Sequence, residues 1–450
     1  MLPKSPAGHL GLGLFQFRIV GDPSPEAWSR AHRYASWMPG VELDGLFILG
    51  EGTLPKLRLN SPAGGWFPGL PYLTWSTAES TLSYVDLFIS PHLKVISISI
   101  PWSWSRFGVP HDILPAIAST ISALPASALQ ALYVDESHEA RQVLQEHFQD
   151  SFSSIILRCG PSLEDFTSSI TLSDAAINHL IQLPNLRTWR VDRPPPRYPV
   201  SSLPHVFPPL TSLTLGGGTA REWLSLIERF ADRASATQGV TPLSRVNGSL
   251  ESLSVEGLLN PIIDVSFASQ IQMFRNLIVL QVDVEFYCGV DQCNFKLDND
   301  NVAELAVSLS RLISLRLGHA CSKNTCATTV ACLLPLSVYC PKLKQLEIHF
   351  NTTNIADDLK NASADPRLQK LRSLPRCRLT YLDVWKTPLT LNEPGSLETV
   401  ANGMVDIFPS LNQLQGFGGS TWGELGRKIA ELRKRTGASS VSEALRLPFS

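Results

Sequence analysis

Hydrophobic residues recur along the chain with one spacing: a leucine, two variable residues, an aliphatic or aromatic residue, one variable residue, and a further apolar residue. A clear copy is Leu129-Gln-Ala-Leu132-Tyr-Val134. The fourth and sixth positions alternate with the period of a β-strand, so their side chains should point to the same face of that strand. The other copies begin at Leu70, Leu93, Leu163, Leu186, Leu210, Leu250, Leu277, Leu312, Leu343, Leu379 and Leu411.

The segments between these copies are predicted to be helical. Val302, Leu305, Ala306 and Leu309 follow the spacing of a helix face that packs on a core. In seven copies a proline stands two residues before the leading leucine, where it marks the exit from the helix because proline cannot continue one. These prolines are Pro68, Pro91, Pro161, Pro184, Pro208, Pro341 and Pro409. Further helices are expected at about 173–181, 219–230, 397–404 and 422–435.

This alternation of strand and helix predicts a stack of repeats. One such strand cannot bury its apolar face alone, whereas a row of them can. We therefore predict an α/β leucine-rich-repeat solenoid of horseshoe shape, with parallel strands on the concave face and helices on the convex face. Its expected parts are an N-terminal segment (1–26), about 12 irregular repeats (27–420), and a C-terminal capping helix and tail (421–450).

Composition narrows the possible partners and compartments. The chain has 450 residues, is 44% hydrophobic and 17% charged, and has a formal net charge of −2. Such a balance gives no electrostatic reason to expect nucleic acid as a partner, and no apolar run approaches the length of a membrane-spanning helix. Eight cysteines are ordinary for a reduced thiol environment, so we expect a cytoplasmic or nuclear protein. A secreted recognition protein is the alternative, and it would use the sequons at Asn247, Asn351 and Asn361.

Sequence motifs for chemistry are weak. Cys288 and Cys293, like Cys321 and Cys326, have four residues between them, which is wider than most structural zinc pairs. We interpret the cysteines as core or loop-interior residues. The run Gly216-Gly-Gly-Thr219 lacks the lysine of a phosphate-binding loop and is interpreted as a tight turn. We predict no catalytic site, metal or cofactor, with a hydrolase or transferase hidden in the repeats as the alternative.

Partner binding is expected on the strand residues that flank the buried fourth and sixth positions. Tyrosine, tryptophan and arginine dominate the energetics of protein interfaces. Tyr381 and Trp385 flank the same leucine and are the first predicted anchors, followed by Arg190 and Arg316. The predicted partner-binding residues are Tyr133, Arg190, Asp283, Arg316, Glu347, His349, Tyr381, Asp383 and Trp385.

Four stretches together resemble a fungal, basidiomycete-type family of F-box leucine-rich-repeat proteins. They are Trp28–Ala35 followed by Val41 and Leu43, then Cys293–Asp298, Leu317–Thr329 and Leu346–Thr352. The last two are the most specific, and the resemblance runs from about Phe15 to Leu414.

The resemblance implies a substrate receptor of a cullin-based ubiquitin ligase, in which an N-terminal F-box binds an adaptor and the repeats hold the target. Residues 1–25 carry neither a Leu-Pro-x-Glu-like start nor a three-helix apolar pattern. We therefore expect a protein-interaction module that lacks a recognisable F-box and binds a target, with an adaptor as a further partner only of a longer form. A leucine-rich-repeat scaffold unrelated to ubiquitin is a second alternative.

Overall fold

The structure is a computed structural model that describes residues 22–44, 53–62, 65–76, 79–100, 126–136, 141–191, 209–217, 249–256, 263–284, 295–319, 326–364, 366, 374–384, 389, 391, 395–416 and 420–435. By its internal packing the chain divides into two compact units, Met1–Pro208 and Pro209–Ser450, which we name unit 1 and unit 2.

Unit 1 contains parallel strands that pair with one another in chain order. These strands are β1 (Val41–Asp44), β2 (Tyr72–Ser76), β3 (Val95–Ile100), β4 (Ala131–Glu136), β5 (Asp165–Ser168) and β6 (Thr188–Val191). The fourth position of each motif lies opposite the fourth position of the next, as with Leu132 on β4 and Phe166 on β5. The predicted period-two pattern therefore sets the register.

Helices connect these strands. They are α1 (Pro25–Ala35), α2 (Thr53–Leu59), α3 (Arg141–Arg158) and α4 (Asp174–Gln182), together with 3-10 helices at Glu79–Phe88 and Ala126–Ala128. The predicted helix after Ser173 is confirmed as α4, because the Ala176 N–H donates to the Ser173 hydroxyl at 3.3 Å. Ile177 and Leu180 are fully buried on its inner face, and the turn at Pro184 follows its end as expected.

Unit 2 repeats the arrangement with strands that also pair in parallel with their chain neighbours. They are β7 (Ser212–Gly216), β8 (Ser252–Glu256), β9 (Val279–Val284), β10 (Ser314–His319), β11 (Gln345–Ile348), β12 (Tyr381–Asp383) and β13 (Gln413–Gln415). The predicted α/β class, with parallel strands flanked by helices, is confirmed in both units.

The helices of unit 2 are α5 (Val265–Ile271), α6 (Asn299–Ser308), α7 (Leu333–Tyr339), α8 (Ile355–Ala364), α9 (Ser396–Ile407) and α10 (Ser420–Arg435), with a 3-10 helix at Val330–Cys332. Asp298 begins α6 with a reciprocal capping box to Asn301, and Val302 and Ala306 are fully buried. The final helix, α10, packs on α9 and β13.

The helix predicted at 219–230 lies outside the described residues. Among the helices that the structure describes, none is both long and apolar enough to cross a membrane.

The core of each unit is built from the motif residues. All twelve leading leucines are at most 1% exposed, and the fourth residue is buried in every predicted copy except Leu414 on β13. The sixth position is buried wherever a strand continues that far, including the serine of β5, Ser168, whose hydroxyl donates to the Ile170 carbonyl. Apolar burial of this kind is the dominant favourable contribution to folding, so the twelve predicted strands share one physical cause.

One hydrogen-bond arrangement recurs between successive strands. The carbonyl oxygen of the second motif residue accepts two successive N–H groups of the next copy. Lys94, for example, accepts from Gln130 at 2.7 Å and Ala131 at 3.0 Å. In unit 2, Ile313 accepts from Lys344 and Gln345 in the same way. This contact satisfies backbone groups just before each strand and fixes where the strand begins.

β1 was not among the predicted strands. Val41 lies opposite Leu73, which makes it a fourth-position residue. The first position of this copy is Met38 rather than leucine, and that substitution is the reason a leucine-based search misses it.

Candidate functional site

The motif leaves alternate strand residues accessible. On most strands the third- and fifth-position side chains alternate with buried ones, so neighbouring strands display them in rows; Ala131 and Ser254 are buried exceptions. We name two such surfaces. The hydroxyl strand face of unit 1 consists of Tyr72, Thr74, Ser97, Tyr133, Asp165, Thr167, Thr188 and Arg190. The charged strand face of unit 2 consists of Arg316, Glu347, Tyr381 and Asp383 at these positions, together with Asp283 at the seventh position of the β9 copy.

Arg316 lies at the centre of the charged strand face. Its Nη1 is 3.2 Å from Asp283 Oδ2, and its Nε is 2.6 Å from Glu347 Oε2. The three side chains come from β9, β10 and β11, and each is between 24% and 31% exposed. An arginine held between two carboxylates keeps its planar group in one orientation, so this part of the face is ordered before any partner arrives.

The Glu347 carboxyl is affected by burial and by three neighbouring charges. Burial raises the pKa of its carboxyl above the ordinary 4.5, and the charges of Asp383 and Asp283 raise the pKa further. The Arg316 guanidinium acts in the opposite direction, yet the pKa remains raised. One cation therefore does not compensate for burial and two further anions.

Tyr381 is tied to the same face through its hydroxyl group. The phenol oxygen is 3.1 Å from Asp383 Oδ2 and 3.0 Å from Gln415 Oε1, so its single proton can be donated to either acceptor. Burial is the largest cause that raises the pKa of the phenol, and the charge of Asp383 raises it further. Tyr381 is therefore a neutral donor whose ring is held in place beside a carboxylate.

A second tyrosine–carboxylate contact lies in unit 1. The Tyr133 hydroxyl on β4 donates to Asp165 Oδ2 on β5 at 3.4 Å. Burial and the nearby Asp165 charge raise the pKa of Tyr133 to about 12. Tyr72 is 40% exposed, and its hydroxyl oxygen accepts from Thr74 at 2.7 Å. Apart from Asp165 and Arg190, the hydroxyl strand face presents uncharged groups.

The structure places most of the predicted partner-binding residues on these two faces. It brings Asp283, Arg316, Glu347, Tyr381 and Asp383 together in unit 2. Tyr133 and the exposed Arg190 lie on the face of unit 1. Asp165 was missed, although it precedes the buried Phe166 as Tyr381 precedes Leu382, which is a signal that the sequence contains. Trp385 lies outside the described residues.

His349 was predicted to be displayed on the partner-binding face, and this prediction is wrong. Its side chain is fully buried instead of displayed, as are Ile348 and Phe350 on either side. β11 ends at Ile348, so the in–out alternation stops there and the chain turns into the core. The neighbouring Gly318 leaves room for this close approach, since a Cβ at that position would lie 3.1 Å from the His349 nitrogen.

The described cysteines are core residues. Cys332 and Cys340 are fully buried and Cys326 is 4% exposed, and burial raises the pKa of the Cys340 thiol to about 12. In the part of the chain that the structure describes, no three metal-binding side chains cluster. Cys288, Cys293 and Cys321 lie outside it.

Comparison of the chain with models of known protein families and with curated proteins yields no match. The described side chains and their contacts are therefore the basis on which a function is proposed.

Proposed function

We propose that this chain is a non-catalytic protein-interaction module, built as a leucine-rich-repeat solenoid, that holds a polypeptide partner on its strand faces. The observation that carries the proposal is the in-register display of polar and aromatic side chains from adjacent parallel strands, such as Arg316, Glu347 and Asp383 on β10, β11 and β12. Neighbouring strands are about 4.8 Å apart. A row of such side chains therefore offers a polypeptide that crosses the strands a continuous series of contacts.

The fixed geometry of the charged strand face supports this function. Ordering long side chains on binding costs free energy, and side chains that are already held lose less. Arg316 is held by two carboxylates and Tyr381 by Asp383 and Gln415. Tyrosine and arginine are also the residue types that most often dominate binding energy at protein interfaces.

We further propose that the module is the target-holding part of a ubiquitin-ligase receptor, as the family resemblance implies. The described residues of that resemblance have structural roles. Thr328 is fully buried and donates to the Leu297 carbonyl at 2.5 Å, while Asn299 and Thr329 exchange two hydrogen bonds. These contacts support the fold that the resemblance implies, and the ligase role depends on the partners that the chain binds.

The interaction role is tested by placing large tryptophan side chains on the strand faces. Ser97 on the hydroxyl strand face and Ser314, a third-position residue of β10 beside the charged strand face, are half-buried. Ser97→Trp and Ser314→Trp fill the space where a partner would lie. Matched controls are Ser154→Trp on α3 and Ser310→Trp after α6, both exposed and off the strand faces. Each tagged full chain is used to capture proteins from an extract of its own cells, and mass spectrometry quantifies them.

We expect a defined set of proteins to be captured by the native chain and by both controls, and to be lost with at least one strand-face variant. A ubiquitin-ligase adaptor and a cullin among the captured proteins would support the receptor role. Their absence from an otherwise specific set would favour a scaffold unrelated to ubiquitin. Equal capture by folded strand-face variants and controls would refute the use of the strand faces.

A further inference from the structure

We propose that the charged strand face of unit 2 binds a cationic, extended segment of its partner, one that is rich in lysine or arginine. This inference rests on the proposed function and adds the chemistry of the partner. The face presents three carboxylates, Asp283, Glu347 and Asp383, around one guanidinium, Arg316. These four groups carry a formal charge of −2, so charge complementarity selects a positive ligand.

Arg316 does not offset this preference. Its guanidinium is engaged by Asp283 on one side and by Glu347 on the other, so an incoming anion would compete with two carboxylates that are already in place. Burial is the largest cause of the raised pKa of Glu347, and repulsion from Asp383 and Asp283 adds to it. An additional cation near Glu347 would reduce that repulsion.

The hydrogen-bonding groups also favour a donor as the ligand. Carboxylates are acceptors only, and a tyrosine hydroxyl has a single proton. The one Tyr381 proton is taken up by Asp383 of the face or by Gln415 on β13. Lysine and arginine side chains offer several donors and no acceptor, so they complement a surface that is rich in acceptors.

The aromatic ring adds a further attraction. A tyrosine ring attracts a lysine or arginine cation placed over its face. Tyr381 lies beside Asp383, and Tyr133 lies beside Asp165 in unit 1. A ring next to a carboxylate thus occurs on the strand face of each unit, and it offers a cation both an apolar surface and a counter-charge.

Two pairs of substitutions with equal effect on net charge test the proposal. Asp283→Asn with Asp383→Asn removes two carboxylates from the charged strand face and keeps the side-chain size. Asp300→Asn with Asp357→Asn removes two from exposed positions on α6 and α8. Both pairs change the formal net charge of the chain from −2 to 0, since two negative charges are lost. Thermal melts followed by circular dichroism establish that each full-length variant is folded.

The probe is a labelled twelve-residue peptide of alternating lysine and serine, and fluorescence anisotropy measures its affinity. We expect the strand-face pair to weaken binding roughly tenfold, taking about threefold for each carboxylate, and the control pair to change it less than about twofold. Binding should also weaken as salt is raised. A glutamate–serine peptide of the same length should not bind.

Three results would overturn the proposal: equal loss in the two pairs, binding of the glutamate peptide, or tighter binding of a phosphoserine peptide, which would make Arg316 the recognition group. The capture experiment separates the two levels of inference. If Ser314→Trp abolishes partner capture while the strand-face asparagine pair leaves peptide and partner binding intact, the interaction role stands and the cationic preference fails. If the asparagine pair alters peptide affinity but no strand-face variant alters partner capture, the interaction role fails.

Discussion

Leu315 provides a quantitative test of the stacked core. It occupies the fourth motif position on β10, lies opposite Leu280 and Leu346 on the flanking strands, and is 1% exposed. Leu315→Ala removes three carbon groups, which corresponds to about 2.4 kcal/mol of lost transfer free energy at about 0.8 kcal/mol each. The cavity left between two packed strands adds to this, so we expect the free energy of unfolding to fall by about 3 to 4 kcal/mol.

Leu414 is the matched comparison. It holds the same motif position on β13, but its side chain is only partly buried, and β12 is its one described strand neighbour. Because less surface is removed from water and the surroundings can relax, Leu414→Ala should cost about 1 kcal/mol. Urea unfolding followed by circular dichroism gives both values. Amide hydrogen exchange shows whether the loss at Leu315 is concentrated in β9, β10 and β11, as expected where each strand contacts only its neighbours.

Two results would contradict a stacked core: equal costs for the two substitutions, or a cost under about 1 kcal/mol for Leu315→Ala. Either result would mean that the fourth-position residues do not form a continuous packed row. Exchange protection lost uniformly across unit 2 would contradict nearest-neighbour coupling.

Two further predictions concern the Glu347 carboxylate and the Ser173 side chain at the start of α4. The raised pKa of Glu347 means that the native state binds its proton more tightly than the unfolded chain, so between the ordinary and the raised pKa the free energy of unfolding falls as pH rises. Glu347→Gln should therefore gain stability relative to the native chain between pH 4 and pH 7 in thermal melts, and an unchanged difference would contradict the raised pKa. Ser173→Ala should lower the free energy of unfolding by about 1 kcal/mol in urea unfolding, because it removes the acceptor of the Ala176 N–H, whereas Ser173→Asp should retain most of it.

Much of the fold could be predicted because its cause is local in sequence. Six consecutive residues suffice to define each strand, its buried face and its register. The ion pair between Arg316 and Glu347 follows from the same pattern, since both hold the fifth motif position on adjacent strands. The contact of Arg316 with Asp283 is diagonal and depends on the side-chain rotamer, which spacing does not encode. The burial of His349 escaped prediction because the pattern does not reveal where a strand ends and the chain turns inward.

A recurring backbone contact explains why the strand faces remain ordered although the repeats differ in length. The leading leucines are as close as 23 residues, at Leu70 and Leu93, and as distant as 40, at Leu210 and Leu250. Yet the paired N–H contacts to the second motif carbonyl recur in both units whatever the spacing. The register of each strand thus depends on its own motif and that of its neighbour, and insertions between them leave the neighbouring side chains aligned. A partner that reads those aligned side chains would be insensitive to connection length, so partner specificity should change with strand residues such as Glu347 and Tyr381.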